Sequence, residues 1–182
     1  MAVVGRTIIF PNKIDQTTSG KAQLEYEHFK VHTGDSWVCT YNFTSTEELT
    51  RVDRYIITPN TTRWAHLFWD VTGQTKTTIS LYEGASGTYD PVTVYNRNRN
   101  SARVNTTIIG NPTGVVTTGN LIWNWVSGTS TPARAQSSGA TRETGEIVLK
   151  QNTQYLFRCA AGSEDDIISV DLFWYEHTNI EN

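Results

Sequence analysis

The sequence predicts an all-β fold, an antiparallel sandwich or barrel, and three observations carry that expectation. Apolar residues recur with period two along most of the chain, and a helical period is hard to find. Gly, Pro, Asn or Asp interrupt this alternation often enough to leave roughly ten short strands. Neither a βα rhythm nor a repeat of roughly 20–50 residues runs through the chain.

The strands follow in order. Residues 22–32 alternate around Leu24, Tyr26, His28 and Lys30, and Thr33-Gly34-Asp35 turns the chain. Residues 36–44 place Trp37, Cys39, Tyr41 and Phe43 on one face; a third strand, 52–58, stops at Pro59-Asn60. The dense run Arg63 to Val71 is bounded by Thr72-Gly73, and 77–82 ends at Glu83-Gly84. Segments 91–96 and 102–109 follow, with Gly110-Asn111-Pro112 expected to break the chain, and then the Trp-bearing segment 120–126. A long polar stretch, 127–145, reads as a functional or mobile loop. Strands 146–150, 153–160 and 166–175 close the chain. In the last, Ile168, Val170, Leu172 and Trp174 oppose Ser169, Asp171, Phe173 and Tyr175; apolar residues on both faces place it mid-sheet or at a subunit interface. The less patterned residues 1–21 are expected to form an N-terminal arm, and 22–182 one β-sandwich domain.

The 182 residues suit one well-buried domain. A charged fraction of 18% with 11% aromatics argues against disorder. The net charge of −3 argues against a duplex-binding protein, which carries a basic excess, so no direct nucleic-acid partner is expected. Met1 opens a segment without a long apolar region, and no apolar run reaches about 18 residues, so neither secretion nor a membrane span is expected. The triplets Asn42-Phe43-Thr44, Asn60-Thr61-Thr62 and Asn105-Thr106-Thr107 therefore carry no glycosylation argument. Cys39 and Cys159 lie on aromatic faces; a cross-sheet disulfide is one reading, and two reduced core thiols in a cytosol is the one adopted.

Chemistry is hard to find. Ser86 lies in a turn-like tract, and there is no nucleophile elbow, P-loop or dinucleotide fingerprint. His28 and His32, four apart on an expected strand, are too distant to chelate, and His66 and His177 stand alone in sequence. Glu164-Asp165-Asp166 lacks calcium-loop spacing and reads as a solvated turn. Glu25 and Glu27 form a same-face carboxylate pair without a matching acid across a cleft. No catalytic residue, metal or cofactor is assigned, and the chain is read as a non-enzyme. Trp64, Trp69, Trp123, Trp125 and Trp174 fit either a sugar-stacking platform or a sandwich core and oligomer seam, and the core is preferred.

The candidate site is Tyr95-Asn96-Arg97-Asn98-Arg99-Asn100-Ser101. In an extended backbone Arg97 and Arg99 share one face and Asn96, Asn98 and Asn100 the other. Guanidinium forks grip carboxylates or phosphates, and an amide row bonds backbone, so Asn96, Arg97, Asn98, Arg99, Asn100 and Arg103 are expected to bind a partner. A solvated loop accounts for the same composition.

This strip after Tyr82-Glu83-Gly84, the piece Glu25 to His32 with Gly34-Asp35, the frame Leu149 to Arg158, and Phe173-Trp174-Tyr175-Glu176 together resemble small structural proteins encoded near the head genes of tailed bacteriophages. The resemblance covers most of residues 22–176. It implies a jelly-roll-like antiparallel β-sandwich and a capsid decoration or cement protein on the virion surface, made in the host bacterial cytoplasm. The implied partners are the major capsid protein lattice and sister copies in a homo-oligomer, a trimer being favoured. The alternative is a carbohydrate- or receptor-binding module of a tail fibre or spike.

Overall fold

The computed structural model describes residues 2–4, 7–14, 21–47, 50–128, 137–140 and 145–178; before Glu27, and at 137–140, it describes backbone alone. Antiparallel sheets dominate. Three N-terminal strands, β1 (Ala2–Val4), β2 (Thr7–Ile14) and β3 (Lys21–Glu25), form a small sheet in that order. The expected arm thus carries its own sheet, and β3 crosses the boundary drawn at 21/22.

The helix α1 (Tyr26–Thr33) replaces the second half of the strand expected over 22–32. Its ends explain it. Glu27 sits in the first turn and Lys30 and His32 in the last, which suits the helix dipole. Gly34, at φ +76°, ends it: its amide donates to the Val31 carbonyl and the Asp35 amide to that of Lys30, a Schellman closure.

The remaining strands are β4 (Ser36–Thr44), β5 (Arg51–Thr58), β6 (Arg63–Gly73), β7 (Thr77–Glu83), β8 (Tyr89–Pro91), β9 (Tyr95–Asn96), β10 (Ile108–Pro112), β11 (Asn120–Ser127), β12 (Ser137–Ala140), β13 (Ile147–Val148), β14 (Thr153–Ala161) and β15 (Ile167–Thr178). One sheet runs β11-β7-β14-β5-β10-β8, and the other β12-β6-β15-β4-β9, with β13 also on β6. The partners are nested: β4 with β15, β5 with β14, β6 with β12 and β13, β7 with β11. One long hairpin, its successive layers alternating between two sheets, is the jelly-roll path. The expected fold class holds.

Residues 84–119 form an excursion at the tip of that hairpin. They return across the open side of the sandwich, laying β9 along β4 and β10 along β5. The strands expected at 91–96 and 102–109 are shorter and displaced, and Gly110-Asn111-Pro112 lies within β10 rather than breaking it. Gly110 is needed there because a Cβ would stand 2.5 Å from the Tyr89 ring.

The core lies between the sheets. Ile56, Ile79, Leu81, Tyr155 and Phe157 face Trp37, Leu67, Trp69, Val71 and Leu172. The last strand behaves as its alternation predicts: Ile168, Val170, Leu172 and Trp174 are fully buried, and β15 runs between β4 and β6. Trp69 and Trp174 belong to this core, with Trp123 edge-on against Trp69 at 5.7 Å, so the five tryptophans form no common platform. A satellite cluster of Tyr55, Ala85 and Leu156 lies under the excursion. Cys39 and Cys159 are buried free thiols, and burial pushes Cys159 up to about 12, which removes it as a nucleophile.

Candidate functional site

The Asn/Arg strip is not extended beyond Asn96. Residues 97–100 bend and turn, so the expected division into an arginine face and an asparagine face does not form. The period of two has another cause. Asn96 Oδ1 accepts the Asn98 amide at 2.9 Å, and Asn98 Oδ1 accepts the Asn100 amide at 3.1 Å. These are consecutive Asx turns, in which each side chain holds the backbone two residues on. Ser101 Oγ continues the pattern by accepting the Arg103 amide at 3.2 Å.

The amide nitrogens brace the α1–β4 junction. Asn96 donates to the Gly34 carbonyl (2.8 Å), and Asn98 to that of His32 (2.9 Å). Arg97 meets Glu27 at 2.6 Å and lies over the Phe173 ring at 5.2 Å, pinning α1 to the outer face of the β15 sheet. Glu27 is thus an ion-pair partner, while the Glu25 side chain lies outside the described part. Gly34 is a second anchor: a Cβ there would stand 2.1 Å from Ser101 Oγ.

Beneath this brace sits a charge network centred on Asp35, whose side chain is 9% exposed. Arg103 and Arg63 donate to Asp35 Oδ1 at 2.6 and 2.8 Å, Thr33 donates to Oδ2 at 3.1 Å, and Lys30 stands 3.9 Å away. Burial pushes the Asp35 carboxyl up, but the Arg103 hydrogen bond, the Lys30 charge and Thr33 outweigh it and hold the carboxyl below its ordinary 3.8. Burial lowers the Lys30 ammonium, against the pull of Asp35. Fully buried Glu176 accepts the Thr106 and Thr107 amides at 3.0 and 2.9 Å, tying the excursion to β15.

Of the six predicted binding residues, Asn96, Arg97, Asn98 and Arg103 bond within the chain. Arg103 remains half-exposed, whereas Arg99 and Asn100 are exposed, with Arg99 stacked 5.1 Å over Tyr95. Asp166, expected in a solvated turn, is instead buried and caps the β6–β7 turn, accepting the Gln74 amide at 2.8 Å and the Thr75 hydroxyl at 2.6 Å.

The opposite edge has a different chemistry. Among the described residues, β11 ends its sheet, and its sequence Asn-Leu-Ile-Trp-Asn-Trp-Val-Ser has neither charge nor proline. Leu121, Ile122, Trp125 and Val126 are 53, 40, 36 and 46% exposed. Edge strands are ordinarily blunted by Lys, Pro or a bulge, because an unpaired apolar edge recruits another strand. Here the register shifts between Leu121 and Trp123, yet no charge guards the edge. Charge-free alternation at 120–126 carried this signal, but the Arg/Asn strip had drawn the site assignment elsewhere.

Two further features have chemical content. Trp64, Val148, Leu149, Lys150 and Gln151 line a shallow groove of about 340 Å³. On the outer face of β6 and β15, His66 Nδ1 meets Glu146 at 2.5 Å, Tyr175 donates to the same carboxylate oxygen at 2.6 Å, and the Nε2 atoms of His66 and His177 face at 2.6 Å. Among the described residues, no group of three or more His, Cys, Asp or Glu is arranged to hold a metal.

Fold and edge together define an antiparallel β-sandwich with one braced side and one apolar edge that carries no charge. No protein-family model matches the chain, and no curated protein or solved structure matches it.

Proposed function

We propose that this protein is a non-enzymatic virion structural protein of a tailed bacteriophage, a decoration or cement protein that binds the major capsid lattice. The observation carrying the assembly reading is β11: an eight-residue edge strand without charge, exposing Leu121, Ile122, Trp125 and Val126. The phage assignment rests on the sequence resemblance around the Asn/Arg strip and the C-terminal frame. A cement protein gains its effect by mass action, binding the assembled shell and not the free coat subunit. It needs apolar anchors ringed by polar groups rather than a reactive centre. Under this reading β11 supplies the anchors, and Arg99, Asn100 and half-exposed Arg103 supply oriented polar contacts on the other side. The major capsid protein is the proposed partner, and a homo-oligomer, favoured as a trimer, brings several such edges to one lattice site.

Cryo-electron microscopy of the virion tests this directly. Density at three-fold or quasi-three-fold capsid positions, with β11 against the coat or a sister subunit, is the expected result. Density confined to the tail tip would overturn it and favour the module that binds carbohydrate or receptor. That second reading has one specific support, the groove beside Trp64. Oligosaccharides that quench Trp64 fluorescence, with loss of the response in Trp64→Phe, would establish it.

A further inference from the structure

The sequence places His28 and His32 four residues apart, and the helix α1 changes what that spacing means. On a strand the two rings would stand two side-chain repeats apart; on one face of a helix, residues four apart are neighbours. The exposed rings converge accordingly, with Nε2 atoms 2.8 Å apart and ring centroids at 4.7 Å. We propose that His28 and His32 form a bidentate site for a late divalent transition metal of the Ni²⁺ or Cu²⁺ class.

The geometry selects the class. Imidazole nitrogens bind such ions at about 2.0–2.1 Å, so a right-angle bite separates them by about 2.9 Å and a tetrahedral one by about 3.3 Å. The ring–ring hydrogen bond sets the present 2.8 Å, and the adjustment from it is smaller to the right-angle bite of square-planar or octahedral ions than to that of tetrahedral zinc. The two Nε2 atoms face each other across a hydrogen bond, so binding requires the hydrogen between them to move to a distal nitrogen and the rings to turn toward a common ion. The helix is held independently of the metal by the Gly34 closure and the Arg97–Glu27 pair. The second chelating nitrogen therefore acts at high effective concentration.

The other two histidines supply the contrast. His66 and His177 also face each other through Nε2, but His66 Nδ1 is committed to Glu146, His177 Nδ1 bonds the Thr178 carbonyl at 2.6 Å, and both rings pack against Tyr175. That pair closes a hydrogen-bonded clasp, whereas the His28–His32 pair opens to solvent.

Calorimetric titration of NiCl₂ into the untagged full chain at neutral pH tests the proposal, since Ni²⁺ does not oxidise the two thiols. One site is expected, weakened by about tenfold or more in both His28→Gln and His32→Gln, and retained in His177→Gln. Amide exchange over residues 26–33 should slow on adding Ni²⁺, because the metal binds the helical state alone. Electron paramagnetic resonance of the Cu²⁺ complex should show tetragonal coordination by two imidazole nitrogens, reduced to one in either variant. Ni²⁺ affinity unchanged in both variants, or lost in His177→Gln instead, would overturn the site. Zn²⁺ binding more tightly than Ni²⁺ would overturn the metal class.

Discussion

The two long edges of this sandwich solve the same problem in opposite ways. The β4/β5 side is closed from within: residues 84–119 return along it, β9 and β10 extend both sheets, and Asx turns, Arg97 and the Asp35 network fix the wrapping to α1. The β11 edge pairs with no strand on its outer side among the described residues, and it presents aliphatic and indole surface. Polar residues in abundance therefore mark the side that is closed by the chain itself, and under the proposed function the surface poor in charge is the side offered to a partner. Ionic groups satisfied internally have little left to offer a partner, while exposed apolar area gains by leaving water.

The largest effect is expected from dismantling the closed side. Asp35→Ala removes the carboxylate shared by Lys30, Arg63 and Arg103, with Arg63 keeping Glu176 at 3.6 Å, at a cost of about 3 kcal/mol, read as a lowered urea midpoint. Gly34→Ala should also destabilise strongly, because φ +76° and the approach to Ser101 both exclude a Cβ. Under the proposed capsid reading, neither should change capsid affinity under conditions where the variant is folded. The Asp35 carboxyl is held below its ordinary value, so its contribution is present above about pH 4 and lost as pH falls through the folded value. Acid unfolding of the wild type, compared with Asp35→Ala, should show that loss.

At the open edge the pattern should invert. Trp125→Ser removes a partly exposed indole, with a stability change below about 1 kcal/mol but a binding loss of about 2 kcal/mol, roughly thirtyfold. Sedimentation with capsids lacking the protein measures the second quantity, and thermal melting the first. A Trp125→Ser protein that melts far lower while binding capsids normally would show β11 to be core, and the comparison between edges would collapse.

A smaller effect belongs to the histidine clasp. Burial, the neighbouring His66 and the Lys30 charge lower His177 below its ordinary 6.5, against the raising influence of the Thr178 carbonyl and Glu146. The unfolded ring therefore takes its proton first as pH falls. Between the folded value and 6.5 the unfolded state binds more protons, so this contribution to stability rises with pH across that window and is level on either side of it. His177→Gln should flatten this slope in urea titrations, and an unaltered slope would assign it to another group.

Much of the fold was legible because burial imposes simple periods. Ile168, Val170, Leu172 and Trp174 alternate, and a strand apolar on both faces is expected mid-sheet or at a subunit interface; β15 lies mid-sheet. The helix was not legible, since Leu24, Tyr26, His28 and Lys30 alternate as a strand would, and the local stop at Thr33-Gly34-Asp35 reads equally as a turn between strands. The candidate strip failed for a related reason. An extended strand and a chain of Asx turns both repeat every two residues, the first by side-chain direction and the second because each Asn carbonyl takes the amide two residues on. Only the tertiary setting decides between them, and here the carbonyls of His32 and Gly34 do so. The β11 edge was visible as composition, but which strands end a sheet is a property of topology.

Arg99 makes the finest division between the edges. It is the strip's exposed guanidinium, stacked on a half-exposed Tyr95, and no bond of the internal brace described above runs through it. Arg99→Ala should therefore change stability by less than about 0.5 kcal/mol, where Arg97→Ala, which frees Glu27 and uncovers Phe173, should cost about 1–2 kcal/mol. Capsid binding by Arg99→Ala should fall only several-fold, as expected for a charge at the rim of an interface, with the loss shrinking at high salt. A loss as large as that of Trp125→Ser would mean that the partner is gripped on the braced side as well, so that each molecule bridges two neighbours through opposite edges of one sandwich.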